Sequence, residues 1–126
     1  MAMIYSIKQV SEKTNLPSHT LRYYEKEGLL PFVKRSEGGI RRFTDDDLEW
    51  LGLICCLKET GMPIKQIKEF VDLSVQGGGT LKQRCEILIE HKKNVENEIQ
   101  TMQKHLQKVT MKINHFSAQY EEHARR

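Results

Sequence analysis

The apolar positions of this chain follow two different periods. Between Leu81 and Tyr120 they fall on two interleaved lines seven residues apart. One line is Leu81, Leu88, Val95, Met102, Val109 and Phe116; the other is Cys85, Lys92, Ile99, Leu106, Ile113 and Tyr120. Eleven of these twelve positions are apolar or aromatic, Lys92 is the exception, and no Pro or Gly interrupts the run. That spacing predicts a coiled-coil seam. About 40 residues at 1.5 Å each make a rod of roughly 60 Å, too long for a small head to cover. A second copy of the chain is its natural partner, with a heterodimer or an intermolecular bundle as alternatives. Lys92 is placed to fix the register or to meet an acid of the partner, and Cys85 takes a packing role by default.

Ahead of Leu81 the pattern breaks into short pieces. Tyr5-Ser6-Ile7 reads as a short strand or as the lead-in to a helix over Lys8 to Thr14, with Val10 inward, broken by Asn15-Leu16-Pro17. A second short helix follows, capped by Ser18 and stopped by Gly28 with Pro31 beyond. Leu21 and Tyr24 share its inner face, which turns His19, Thr20, Arg22, Tyr23 and Lys26 elsewhere. Two short helices joined by a turn match a helix-turn-helix with the second as recognition helix, although such pairs also serve as plain structural corners. Phe32–Arg35 and Ile40–Phe43 flank Gly38-Gly39 and predict a hairpin, with Ile40 and Arg42 on one side and Arg41 and Phe43 on the other. Four basic residues within nine positions, 34 to 42, make that hairpin a wing suited to the phosphate backbone.

Thr44 caps a further helix that runs to about Thr60, with Asp45, Asp46 and Asp47 at its positive end. On a wheel of about 100° per residue, Leu48, Trp50, Leu51, Leu53, Ile54, Cys55 and Leu57 fill most of the circumference, which predicts burial on nearly every side. The remaining arc holds Glu49, Gly52, Glu59 and Thr60 with Cys56 in its middle. Cys56 is thus the candidate reactive thiol and Cys55 a packing residue, although ordinary packing explains Cys56 equally well. Glu49 and Glu59 oppose a thiolate, so activation has to come from another element. Pro63 opens the next helix with a stripe of Ile64, Ile67, Val71 and Val75, and Gln76-Gly77-Gly78-Gly79 breaks it before Thr80, a fresh cap.

Composition and charge narrow the class. At 38% hydrophobic and 29% charged, with no apolar run near 20 residues, the chain has a small core and no membrane span. No signal peptide is visible and three cysteines make no disulfide framework, so a reducing, cytoplasmic location is expected. Net charge is only +3, but residues 1–44 carry eight Lys/Arg against four acids, net +4, whereas residues 45–76 carry three against seven, net −4. The positive field is focused around the second helix and the wing, which suits DNA contact by one surface. No Gly-rich phosphate loop, metal-binding histidine pair or nucleophile–base spacing occurs, so no enzyme activity, metal site or cofactor is expected.

The run Leu21-Arg22-Tyr23-Tyr24-Glu25, Gly28-Leu29-Leu30, Arg35, Gly39-Ile40-Arg41-x-Phe43 and Asp47-Leu48 resembles the signature of the MerR family of bacterial transcription regulators. Lys58, Gly61 and the helix after Pro63 continue the resemblance, and the long C-terminal helix completes it. It implies a mainly α fold: a winged helix-turn-helix head over 1–76, a Gly-rich linker at 77–80, a dimerisation helix over 81–120 paired as an antiparallel coiled coil, and a tail at 121–126. The implied DNA contacts are His19, Thr20, Arg22, Tyr23, Arg35, Arg41 and Lys58, with His19 and Arg22 for base edges. Ile40 departs from the aromatic residue frequent there. Leu88, Val95, Ile99, Met102, Leu106, Val109, Ile113 and Phe116 would form the homodimer seam.

The family's mechanism is to kink and untwist an overlong promoter spacer so that RNA polymerase meets both elements. That distortion costs several kcal/mol, recovered from protein contacts. The segment Trp50-x-x-x-Ile54-x-Cys56 resembles the branch that senses aldehydes, related electrophiles or nitrosative stress, which implies Cys56 as its sensing residue. The sequence ends at Arg126 without a stretch for a separate ligand-binding domain or the paired C-terminal cysteines of the metal-sensing branch. A metal shared across a dimer, a small ligand under the linker, or no effector remain alternatives. The rival reading is a coiled-coil adaptor whose head binds protein.

Overall fold

The structure, a computed structural model, describes residues 3–126. Its order is α1 (Ile7–Thr14), α2 (Ser18–Lys26), β1 (Lys34–Arg35), β2 (Arg41–Arg42), α3 (Asp45–Glu59), α4 (Ile64–Gln76), a 3₁₀ turn (Gly78–Thr80) and α5 (Leu81–Ala124). The fold is mainly helical: a helix-turn-helix head with a wing, and a long C-terminal helix. The chain divides into two compact units, Met1–Ile87 and Leu88–Arg126.

Local chemistry sets the start of each head helix. Ser6 caps α1 in a reciprocal box, its hydroxyl accepting from the Gln9 N–H while the Gln9 side chain accepts from the Ser6 N–H. Asn15, in the left-handed region at φ 58°, ends α1 and turns the chain towards α2. Ser18 does not cap α2, contrary to expectation. Pro17 holds the cap position without a side-chain hydrogen bond, and Ser18 is the first helical residue. Proline's fixed φ and the Pro17 carbonyl, which accepts from Thr20 and Leu21, start the helix instead. Thr44 and Asp47 form a second capping box at the head of α3.

Tyr5 satisfies both readings of the N-terminal segment. It forms an isolated antiparallel bridge with Phe43, exchanging hydrogen bonds of 2.7 and 3.0 Å, and the chain enters α1 immediately afterwards. The head core is Val10, Leu21, Tyr24, Leu29, Leu30, Phe43, Leu51, Ile54, Leu57, Met62, Ile67, Phe70 and Val71. Trp50 ties the layers together. Its Nε1 donates to the Leu29 carbonyl at 2.7 Å, its ring stacks on Phe70 with centroids 5.9 Å apart, and Phe32 meets it edge-on at 5.3 Å.

Two expectations of burial and one of capping need correcting. In α3 only Asp47, Leu51, Ile54 and Leu57 are buried; Leu48, Trp50, Leu53 and Cys55 are half-buried, so the helix is covered on one face and not all round. In α4 the buried stripe is Ile67, Phe70 and Val71, while Ile64 and Val75 are exposed at its two ends. Thr80 is buried and does not cap α5: its hydroxyl lies 2.6 Å from the Leu73 carbonyl oxygen and 2.8 Å from that of Gly77. Arg84 donates to both the Thr80 hydroxyl and the Gly77 carbonyl, so the glycine segment is a packed turn.

Helix α5 is unbroken to Ala124 and so takes in residues 121–124, the first part of the expected tail. Along it Ile99, Met102, Leu106, Val109, Ile113, Phe116 and Tyr120 are all more than half exposed, as is Met111 off their line. Leu88 and Val95 are half-buried. No helix among the described residues is long and apolar enough to cross a membrane.

Candidate nucleic-acid interface

Helix α2 presents two faces because Leu21 and Tyr24 anchor it. Both are buried, so the intervening positions turn outward. His19, Arg22, Tyr23 and Lys26 are exposed and Thr20 is half-buried. The helix therefore offers an imidazole, a guanidinium, a phenol and an ammonium side by side, the donor-rich surface that base edges and phosphates require. Lys58, in the last turn of α3, extends this surface. Its Nζ lies 5.0 Å from the Tyr24 ring centroid and 5.9 Å from that of Tyr23, within cation–π reach of both. Burial raises the Tyr24 phenol above its ordinary value, the nearby Cys55 thiol adds to this, and Lys58 opposes it.

The wing is short. Lys34 pairs with Arg42 and Arg35 with Arg41, and Gly39 takes φ 78° in the turn, a conformation that favours glycine. Alternation along β2 is as expected, with Phe43 buried and Ile40 and Arg42 exposed. Arg35 and Arg41, expected to meet DNA, have a protein partner. Glu25 of α2 accepts from Arg35 Nη2 at 2.6 Å through one carboxylate oxygen and from Arg41 Nε at 2.7 Å through the other. The Arg41 side chain is 22% exposed and that of Arg35 51%, so the second keeps an open side. Burial pushes the Glu25 carboxyl upward, but the hydrogen bonds and charges of Arg41 and Arg35 outweigh it and hold the group below its ordinary value of 4.5. One carboxylate thus fastens the wing to the recognition helix. At the end of α2, Glu27 accepts from Lys68 of α4 at 2.6 Å, fixing the helix from its other side.

The role of Glu25 was missed by sequence reasoning. The sequence signal for it is a pair of arginines across a tight turn, on one face, needing an acid from a neighbouring element.

The thiols differ as expected from their wheel positions. Cys56 and Cys85 are exposed and Cys55 is half-buried. Burial raises the Cys55 thiol, Glu59 adds to this, and hydrogen bonding with Tyr24 and the charge of Lys58 oppose it.

Comparison with known proteins gives this arrangement a family. The model for the MerR HTH family regulatory protein matches residues 5–73, and that for MerR, DNA binding, matches residues 48–111. An HTH-type transcriptional regulator of Haemophilus influenzae is 42% identical over 111 residues, spanning 88% of this chain and 82% of its own. The HTH-type transcriptional regulator YyaN of Bacillus subtilis is 40% identical over 106 residues, spanning 75% of this chain and 77% of its own. Among solved structures, HiNmlR, a MerR family regulator lacking the sensor domain and bound to promoter DNA, superposes with a TM-score of 0.84 at 42% identity, over 88% of each chain. The exposed recognition helix, the wing fastened beside it and the long C-terminal helix are those of a DNA-binding transcriptional regulator, and the chain belongs to the MerR family.

Proposed function

We propose that the protein works as a homodimer on a palindromic promoter site, placing one α2 in each of two major grooves and distorting the spacer between them for RNA polymerase. In this reading His19 and Arg22 meet base edges, Thr20, Tyr23 and Lys58 meet the backbone, and the wing that carries Arg35 and Arg41 lies against flanking DNA. The observation that carries it is the sorting of α2: Leu21 and Tyr24 buried, His19, Arg22 and Tyr23 exposed, with the wing held beside them by Glu25. The likeness of HiNmlR, captured on promoter DNA, supports the same surface. The exposed apolar line along α5 supports self-association through Leu88, Val95, Ile99, Met102, Leu106, Val109, Ile113 and Phe116.

A duplex enriched by the chain from a randomised pool tests the reading in a mobility-shift titration. Arg22→Ala should weaken binding by about tenfold or more, the loss of one good base contact. Unchanged affinity would remove Arg22 from the interface. Control by reactive electrophiles is assigned to Cys56, whose exposure distinguishes it from the half-buried Cys55. Full promoter induction by aldehydes and oxidants in Cys56→Ser would end that assignment.

A further inference from the structure

The wing carries four cations on two faces. Residues directly opposed across an antiparallel ladder share a face, and successive residues alternate. The pairing of Arg35 with Arg41 and of Lys34 with Arg42 therefore puts two cations on each side. The first side is occupied. Glu25 takes Arg35 and Arg41 through separate carboxylate oxygens, and Arg35 Nη1 also donates to the Gly39 carbonyl at 3.3 Å. The second side is open. Lys34 and Arg42 are exposed, and among the described residues neither has a hydrogen-bond or ion-pair partner.

Like charges held opposite each other on a ladder of two residues work against the hairpin. An anion between them removes that repulsion. The hollow bordered by Lys34 and Arg42 is edged by two carboxylates. Asp47 is committed to the backbone N–H and hydroxyl of Thr44, and Asp46 is exposed in the first turn of α3.

We propose that Glu25 divides the wing's four cations between two jobs: it holds Arg35 and Arg41 as a clamp that fixes the wing to the recognition helix, and it leaves Lys34 and Arg42 as the pair that takes a backbone phosphate of DNA. The inference rests on the DNA-binding reading above and deepens it. Glu25 is a positioning residue and touches no DNA. The two jobs have different signatures. A cation that neutralises a phosphate releases a counterion, so its loss flattens the dependence of affinity on salt. Loss of a clamp lowers affinity and leaves that slope in place.

The test uses the full chain, a fluorescent duplex that the wild-type chain has enriched from a randomised pool, and anisotropy titrations between about 50 and 300 mM salt. The double variant Lys34→Ala/Arg42→Ala should lower the slope of log K against log salt by about 0.9 per protomer. Among the described residues neither side chain has a hydrogen-bond or ion-pair partner, and thermal melts check that the variant is folded. Arg41→Ala and Glu25→Gln should weaken binding by about tenfold with the wild-type slope, and Glu25→Asp should restore part of the loss. Thermal melts establish that the clamp variants are folded. Equal flattening by Arg41→Ala, or an unchanged slope in the Lys34→Ala/Arg42→Ala double variant, overturns the division alone. Failure of the wild-type chain to enrich any duplex overturns the DNA reading and the division with it.

Discussion

Glu25 concentrates the acid sensitivity of the wing in one carboxyl. Its two oxygens serve two arginines, and its folded-state pKa lies below the ordinary 4.5. A carboxyl lowered on folding stabilises the fold above its unfolded value, and that stability is lost as pH falls through the folded value. The advantage of the wild-type chain over Glu25→Gln should therefore hold at neutral pH and shrink below about pH 4.5. Its size should be on the order of 1 kcal/mol, because the Arg35 side is open to solvent. Thermal denaturation of both proteins between about pH 3 and pH 7 measures this, and parallel stability curves would contradict it. At this scale the sequence was legible where a rule acts within one element. Alternation along β2 sorted Ile40 and Arg42 from Arg41 and Phe43, as the burial pattern has it. The partners of Arg35 and Arg41 were not legible, because Glu25 is ten and sixteen residues away and reaches them only once α2 and the hairpin have packed.

Capping chemistry marks the start of α3 but not of α2 or α5, and burial departs from the sequence where a neighbouring element decides it. Thr44 and the acids after it mark the start of α3 without ambiguity. The helical wheel treats every apolar side chain alike, however, and α3 meets the core along one face, leaving Leu48 and Leu53 only half covered. Ile64 and Val75 have the right spacing for the α4 stripe but lie at its ends, beyond the reach of the head core. The glycine run shows the same limit. Composition marks a Gly-rich linker, and the structure folds it into a 3₁₀ turn closed by Thr80 and Arg84. Gly77 makes this turn possible at φ 93° and ψ −157°, a region essentially confined to glycine. Gly77→Ala should destabilise the protein by about 1–3 kcal/mol through backbone strain alone, since an added Cβ would meet nothing within 4 Å. Gly78→Ala, at a position without positive φ and equally uncrowded, should cost well under half as much. Urea denaturation of the two variants checks the contrast.

For the whole molecule, the long helix poses a question that one chain does not answer. Ile99, Met102, Leu106, Val109, Ile113 and Phe116 keep a seven-residue rhythm yet remain exposed. Met111 is as exposed as Met102 but lies off the two seam lines. A dimer formed through the seam should therefore respond to position and not to hydrophobicity alone. Leu106→Asp should shift the protein to monomer in sedimentation velocity at micromolar concentration, and Met111→Asp should leave the dimer intact. Equal behaviour of the two would remove the seam from the interface. The heptads were readable because a period of 3.5 is a property of the sequence itself. Strand order and orientation between two copies are not, since either arrangement buries the same line of side chains.

The bridge between Tyr5 and Phe43 joins positions at the two ends of a loop of 37 residues that contains α1, α2 and the wing. The Tyr5 hydroxyl also donates to Asp45 at 2.8 Å, and Lys13 lies over its ring at 5.1 Å. Closing a loop of that length costs on the order of 3 kcal/mol in chain entropy, offset where the strand ends meet. Tyr5 thus ties the lead-in to α1 to the strand end at Phe43 and to the first turn of α3. Loss of the Tyr5–Phe43 bridge should free α1 and the wing together, and amide exchange that protects the two as one cooperative unit would show it.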